Sequence, residues 1–480
     1  MMDSSFMGMY RNLFQFAQFP PFKKQLLLTT APPQQPEKLE LTLPDELTKE
    51  QQKIFQQAIS AKDYFLLWGP PGTGKTSMML KNIVKYLLND TDENILLLAY
   101  TNRAVDEICE AIETIDKWMT KEYIRIGSRH GANEKFHHQL LNTKIEKITT
   151  RKDLKAVIDN HRIFVSTVAS MGGKQEILQL KTFHRVIIDE ASQIPEPMLV
   201  GMLPHFKRFL LIGDHKQLPA VVVQRQEDSK VKDKELNEIG LLNLRDSLFE
   251  RMYKQCLKNK WTWAYARLSQ QGRMHEDIMK FPSEQFYQGN LKTLTLGNAK
   301  SHYQLEQLEL QSSTRPCILE ELLLQQRMVF LPTESDFTSL TGKTNAEEAA
   351  LIAEVVEIYQ KIFSNNEIPI NKNSIGIITP YRAQIAQIRD ALQQRNIDAN
   401  ELTIDTVERY QGGAREVILI SLCTNKESQL TSLVSLSDEG VDRKLNVALT
   451  RARKHLVLVG NPMILNNNSI YKTLIDNYMK

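Results

Sequence analysis

The feature that most constrains this chain is Gly69-Pro70-Pro71-Gly72-Thr73-Gly74-Lys75-Thr76, set between the apolar run Tyr64–Trp68 and the helix-forming stretch SMMLKNIVKYLL. It fits G-x-x-x-x-G-K-[ST] in full. Such a loop needs a strand feeding it and a helix leaving it. Glycines then let backbone N–H groups curl around phosphates, and the helix N-terminus favours the anion. Lys75 is placed to reach the β- and γ-phosphates, and the Thr76 hydroxyl to bind Mg²⁺. ATP and Mg²⁺ are therefore the expected cofactors, with residues 69–76 as their cradle.

Downstream, short apolar runs alternate with longer helical patterns. Candidate strands are Tyr64–Trp68, Ile95–Ala99, Ile163–Thr167, Val186–Asp189 and Phe209–Gly213, then Met328–Leu331, Ile375–Thr379, Leu402–Thr406, Val417–Leu422 and Leu456–Gly460. This alternation predicts an α/β chain carrying two tandem units, each a parallel sheet flanked by helices. Two further segments end strands in polar groups. Val186-Ile187-Ile188-Asp189-Glu190 places adjacent carboxylates at a strand's C-terminal end, where α/β sheets bind ligands. Asp189 can hold Mg²⁺, and Glu190 can polarise an attacking water. Phe209–Gly213 runs into Asp214-His215-Lys216-Gln217, with Gln217 a candidate γ-phosphate sensor.

Composition narrows the class further. The chain has 480 residues, 42% of them hydrophobic and 24% charged, which excludes collagen-like and disordered chains. Its four cysteines are scattered, so reduced thiols are expected rather than a disulfide or zinc framework. No apolar run approaches the roughly 18 residues of a membrane span, and Asp3 stands where a signal peptide would be basic. The expectation is a cytoplasmic protein without a membrane. Net charge is only +3, so any nucleic-acid partner must be bound by local charge. HGANEKFHH at 130–138 contains His130, His137 and His138, but reads as a solvated insertion rather than a metal site.

DEASQ at 189–193 and GDHKQLPA at 213–220, together with the phosphate loop, resemble the superfamily 1 helicases. The branch is that of the replication nuclease-helicase and the RNA helicase of nonsense-mediated decay. LTKEQ, AYTNRAVDEI, VSTVAS, LSQQGRMHEDI, ITPYRAQ, TVERYQGGAREVILISL and LNVALTRAR follow in the family's order. The resemblance covers the chain from about residue 40. It implies two RecA-like domains with one ATP between them, and Gln51 bonding the adenine. It also implies Arg273 and Arg451 reaching the γ-phosphate from the second domain, where an arginine is worth about 10³–10⁵ in rate. Lys75, Asp189, Glu190, Gln217, Arg273 and Arg451 form the expected catalytic set.

The resemblance also implies a strand track at Thr101, Asn102, Arg103, Ser166, Thr167, Pro380, Tyr381, Arg382 and Thr406, residues at or just after strand ends. Hydroxyls and a few arginines suit a motor that slides along a backbone without reading bases. The partner is single-stranded DNA or RNA, with DNA and 5′ to 3′ movement expected. A remodelling ATPase without strand separation, or a binding module that has lost turnover, are the alternatives. Three positions depart from the family pattern: Gly272 replaces an aromatic that packs on adenine, Glu276 a proline, and Ala414 an acid. The first and third predict a weaker grip on the nucleotide.

The expected organisation is a helix and proline-rich linker over 1–46, a first RecA-like domain over 47–222, a charged connector over 223–260 and a second RecA-like domain over 261–480. Phe6, Tyr10, Leu13 and Phe14 recur at helical spacing within the first segment. The residues before Gln51 are too few for the β-barrel or nuclease module of relatives. That leads to the expectation of a motor half that separates strands poorly alone, the missing module lying upstream or on another chain.

Overall fold

The computed structural model describes the chain except residues 1–3, 175, 221, 223, 225, 226, 296–302, 314, 411, 412 and 480. It divides into two compact units. The first is Met1–His215 with Pro219–Leu268; the second is Lys216–Leu218 with Ser269–Lys480.

The first unit is built on seven parallel strands: β1 (Tyr64–Trp68), β2 (Ile95–Ala99), β3 (Tyr123–Ile126), β4 (Ile163–Thr167), β5 (Arg185–Ile188), β6 (Arg208–Gly213) and β7 (Tyr265–Arg267). Their order is β3-β4-β2-β5-β6-β1-β7. Every residue of β1, β2 and β5 is buried, as continuous apolar runs require when helices cover both faces. The helices Lys49–Ser60, Lys81–Asp90 and Asn102–Glu113 send Phe55, Ile83 and Ile108 into the core formed with Leu97 and Ile187. Each such side chain removed from water contributes about 1.5–3 kcal/mol.

The second unit opens with a two-stranded ladder, β8 (Gln270–Gln271) and β9 (Lys292–Thr293). Its main sheet holds β10 (Met328–Pro332), β11 (Ile375–Ile378), β12 (Thr403–Asp405), β13 (Arg415–Ser421) and β14 (Ala452–Gly460). These are parallel, in the order β10-β14-β13-β11-β12. The helix Ala346–Asn365 packs Ile352 and Tyr359 against Ile377, Leu419 and Val457.

All ten candidate strands are present, with ends shifted by a few residues. Four strands lay outside the sequence expectation: the two-residue β8 and β9, and β3 and β7 of the first sheet. β3 reads Tyr-Ile-Arg-Ile, and its Arg125 is buried because Asp106 pairs with it. β7 is three half-buried residues with no apolar run. Because β7 pairs with β1, the units divide at Leu268/Ser269 rather than at 260/261. The 223–260 segment is not a separate connector; its helix Leu248–Lys258, capped by Ser247, buries Phe249, Met252 and Tyr253 in the first unit.

The proline-rich stretch also differs from an extended linker, since Pro21–Leu27 is helical. A proline in the first turn needs no N–H partner there and presets φ. The helix Ser4–Gln18 forms as its spacing predicts, but Phe6, Tyr10, Leu13 and Phe14 face solvent. Asn12 lies against the unit instead, donating to the Met198 carbonyl at 2.9 Å.

Candidate nucleotide and strand site

β5, β6 and β1 are neighbours, with Ile188 beside Leu211 and Trp68 beside Gly213. The segments that follow them therefore open side by side, and they carry Asp189-Glu190, Asp214 and the phosphate loop. The Gly69 N–H donates to the Gly213 carbonyl at 3.0 Å, seating the loop on β6. Lys75 folds back so closely that an added Cβ on Gly69 would lie 2.1 Å from its Cγ. Gly72 and Gly74 take positive φ, which curls the loop ahead of the helix. That helix starts with a widened π-type turn over Lys75–Leu80, where the Met78 and Met79 N–H groups both donate to the Gly74 carbonyl. Pro70 accepts from the Thr73 hydroxyl at 2.7 Å, closing the bend. Pro71 completes it.

Lys75 Nζ lies 3.2 Å from Glu190 Oε1. Burial pulls the Lys75 ammonium down, but Glu190, Asp214 and Asp189 outweigh it and hold its pKa above the ordinary lysine value. Thr76 Oγ1 donates to Asp189 Oδ2 at 2.5 Å. Burial, reinforced by the Glu190 charge, pushes the Asp189 carboxyl up to about 6 against the pull of Lys75. Glu190 sits in the left-handed region at φ 51°, a costly backbone state for a residue with a side chain. Gln193 donates to its Oε2 at 3.1 Å and holds it there. Glycine-lined backbone, a buried cation and a hydroxyl–carboxylate oxygen pair fit a nucleotide phosphate and a divalent cation.

Gln51 lies beside this loop. It caps its own helix with Thr48, and its Nε2 donates to the Thr73 carbonyl at 3.2 Å. Three residues to which the sequence assigned no site role lie beside that loop. Trp68 Nε1 donates to Asp214 Oδ1 at 2.8 Å, and the Arg267 guanidinium lies 4.0 Å over the Trp68 ring. A carboxylate directly after a strand adjacent to the phosphate-loop strand was the available signal. His215 stacks on Trp68 and Tyr253 and is part of the unit's packing.

In the second unit, Arg273 and Arg451 come together. Arg273 Nη1 donates to the carbonyl of Thr450 at 3.2 Å. Arg451 is buried between the helix Arg443–Leu449 and β14, and its Nη2 donates to Gln217 Oε1 at 3.4 Å, Gln217 grouping with this unit. Gly272 faces Leu294, whose Cδ2 would lie 3.0 Å from an added Cβ. Glu276 is the first residue of the helix Glu276–Tyr287, where an acid suits the positive helix end as proline suits the first turn. Ala414 precedes β13; Gln411 and Gly412 lie outside the described residues.

The candidate strand-contact residues sit at sheet ends as expected, but several are engaged locally. Thr101 and Thr167 cap the helices Asn102–Glu113 and Val168–Gly172, accepting from Ala104 and Ser170. Ser166 is buried and donates to the Ile126 carbonyl. Asn102 and Arg103 are exposed. In the second unit Pro380, Tyr381 and Arg382 follow β11 and Thr406 follows β12, which pair through Ile378 and Asp405. Tyr381 and Arg382 reach solvent. His137 and His138 of the 130–138 insertion face the carbonyls of Ala132 and Thr120, and His130 is exposed.

Two AAA-domain family models match the chain, one over residues 51–223 and the other over 244–463. The mouse DNA replication ATP-dependent helicase/nuclease DNA2 is 31% identical over 447 residues, 90% of this chain and 38% of that protein. The two domain models together span most of the chain, and its sequence is similar to that of ATP-dependent helicases. Its counterpart from Arabidopsis thaliana is 30% identical over 434 residues, 90% of this chain and 29% of that protein. An ATP-dependent helicase of Methanocaldococcus jannaschii is 27% identical over 560 residues, covering 98% of this chain and 77% of that protein. The chain spans about a third of the length of the replication relatives it matches. Among the described residues, no helix is long and apolar enough to cross a membrane.

Proposed function

We propose that this chain is an ATP-hydrolysing motor that moves along single-stranded nucleic acid. The observation that carries the reading is the largely shielded group formed by Lys75, Glu190, Asp189 and Thr76 past the ends of β5 and β1, which flank β6. Backbone amides of residues 72–76 bind the phosphates, and Lys75 leaves Glu190 to neutralise them. Thr76 and Asp189 would hold Mg²⁺, which would supply charge neutralisation to the phosphates. Glu190, freed of Lys75, orients the attacking water and accepts its proton. Arg273 and Arg451 supply positive charge to the transition state, and Gln217 reports the γ-phosphate to Arg451.

The strand is DNA and the direction 5′ to 3′ in this proposal. The resemblance to proteins named for DNA replication supports the first, and the branch supports the second. Arg273→Ala tests the chemistry. Its turnover should fall by about 10³ while ATP binding is kept. Wild-type turnover in that variant would remove the arginine from the mechanism, and absence of turnover in the parent protein with Mg²⁺ would end the reading.

A further inference from the structure

Residues 333–345 of the second unit form a loop that displays large apolar side chains to solvent. Phe337 is 90% exposed, and Leu340 stands out fully. Scattered single apolar residues on a surface need no explanation. These two share one sheet end with Met463, 82% exposed, because β10 and β14 finish together at Pro332 and Gly460. Asn461, just past β14, donates to the Ser335 hydroxyl at 2.8 Å and ties that edge together.

The loop is held by the buried Asn425 and the half-buried Asp336 and Gln429. Asp336 accepts from the Thr338 N–H at 2.9 Å and the Ala346 N–H at 3.1 Å, so its charge is spent on the loop itself. Asn425 donates to the carbonyls of Thr344 at 2.8 Å and Gly342 at 3.1 Å, and accepts from the Asp336 N–H. Gln429 Nε2 then joins the Gly342 carbonyl, at 2.7 Å, to the Tyr381 hydroxyl, at 3.4 Å. The apolar loop is thus fixed beside a candidate strand-contact residue, at the carboxyl end of the sheet. Lys343 is exposed within it.

We propose that Phe337, on the loop that also exposes Leu340, is a stacking contact for the unpaired bases of a bound single strand. The proposal rests on the motor reading above and adds a base contact to a track otherwise made of backbone contacts. Every base has a π-face, so an aromatic platform grips a strand without choosing its sequence. A ring held on an ordered loop also loses little freedom on binding. The tie of its loop to Tyr381, from the Gly342 carbonyl through Gln429, favours a nucleic-acid occupant over a protein one.

The test uses the full chain and fluorescence anisotropy with oligo(dT) or oligo(U), whichever the parent protein binds more tightly, and an abasic strand of equal length. Phe337→Ala should bind the base-bearing strand about tenfold more weakly, with the abasic strand little affected. Phe337→Trp should restore the affinity, and its emission should be quenched by the base-bearing strand alone. Unchanged affinity in Phe337→Ala, or an equal loss on both strands, overturns the proposal and leaves the motor reading standing. A parent protein that binds neither strand overturns both.

Discussion

Thr76 and Asp189, 113 residues apart in the chain, are joined by a 2.5 Å hydrogen bond at the ends of two strands of one sheet. The bond fixes the hydroxyl and carboxylate that a divalent cation needs, one step from Lys75. Three carboxylates, Asp189, Glu190 and Asp214, raise the pKa of that lysine and share its charge. Lys75→Ala should therefore abolish turnover and also cost about 2–3 kcal/mol of stability, less than a fully buried pair because Glu190 is 24% exposed. Adding Glu190→Gln should recover much of the thermal midpoint and none of the turnover. Calorimetry beside an ATPase assay separates the two effects.

The indole of Trp68 holds Asp214, which is 0% exposed. Trp68→Phe keeps an aromatic ring and removes the donor. It should destabilise the protein by about 1–3 kcal/mol, the cost of taking a partner from a buried carboxylate. Denaturant titration of the variant reads this directly, and an unchanged midpoint would mean that the bond carries no weight.

Gly272 stands where the resemblance leads to the expectation of an aromatic, and the side chain that crowds it is the flexible end of Leu294. Gly272→Tyr should therefore be accommodated and should tighten ATP binding by roughly threefold to tenfold, the range expected of an aromatic contact. Isothermal titration with a non-hydrolysed ATP analogue checks it, and an unchanged affinity would count against the idea.

Glu348 is fully buried at the start of the helix Ala346–Asn365, accepting from the Ser421 hydroxyl at 2.7 Å and the Cys423 N–H at 2.9 Å. Burial pushes its carboxyl up to about 7, against those bonds. A carboxyl raised on folding binds its proton more tightly in the native state. Its stabilising contribution is complete at low pH and is lost as pH rises from the ordinary carboxylate range through about 7. Glu348→Gln does not titrate, so its melting temperature relative to the parent should be higher at pH 8 than at pH 5. A difference independent of pH would contradict this.

The parts legible in the sequence are those where one residue pattern serves fold and chemistry together. The apolar runs before Gly69, Asp189 and Asp214 are strands because they are buried on both faces, and the chemistry begins where burial stops. β3 was hidden because a buried Arg125 looks like a surface residue until Asp106 is brought to it. The helix Ser4–Gln18 was legible as a helix, but spacing alone does not say whether Phe6 and Tyr10 face the protein or the solvent. The Trp68–Asp214 bond and the loop around Phe337 depend on strands far apart in the chain becoming neighbours. Thr101 and Thr167 show the converse, since residues that suit phosphate contact equally suit helix caps.

The central claim is that ATP turnover by this chain is coupled to a single strand. The most direct measurement is the steady-state ATPase rate with no nucleic acid, with single-stranded DNA and with single-stranded RNA, each across a salt series. The account predicts a rate raised severalfold by a single strand, DNA above RNA. That stimulation should weaken only moderately with salt, because a chain of net charge +3 makes few phosphate contacts. A basal rate that neither strand changes at any salt concentration would contradict it.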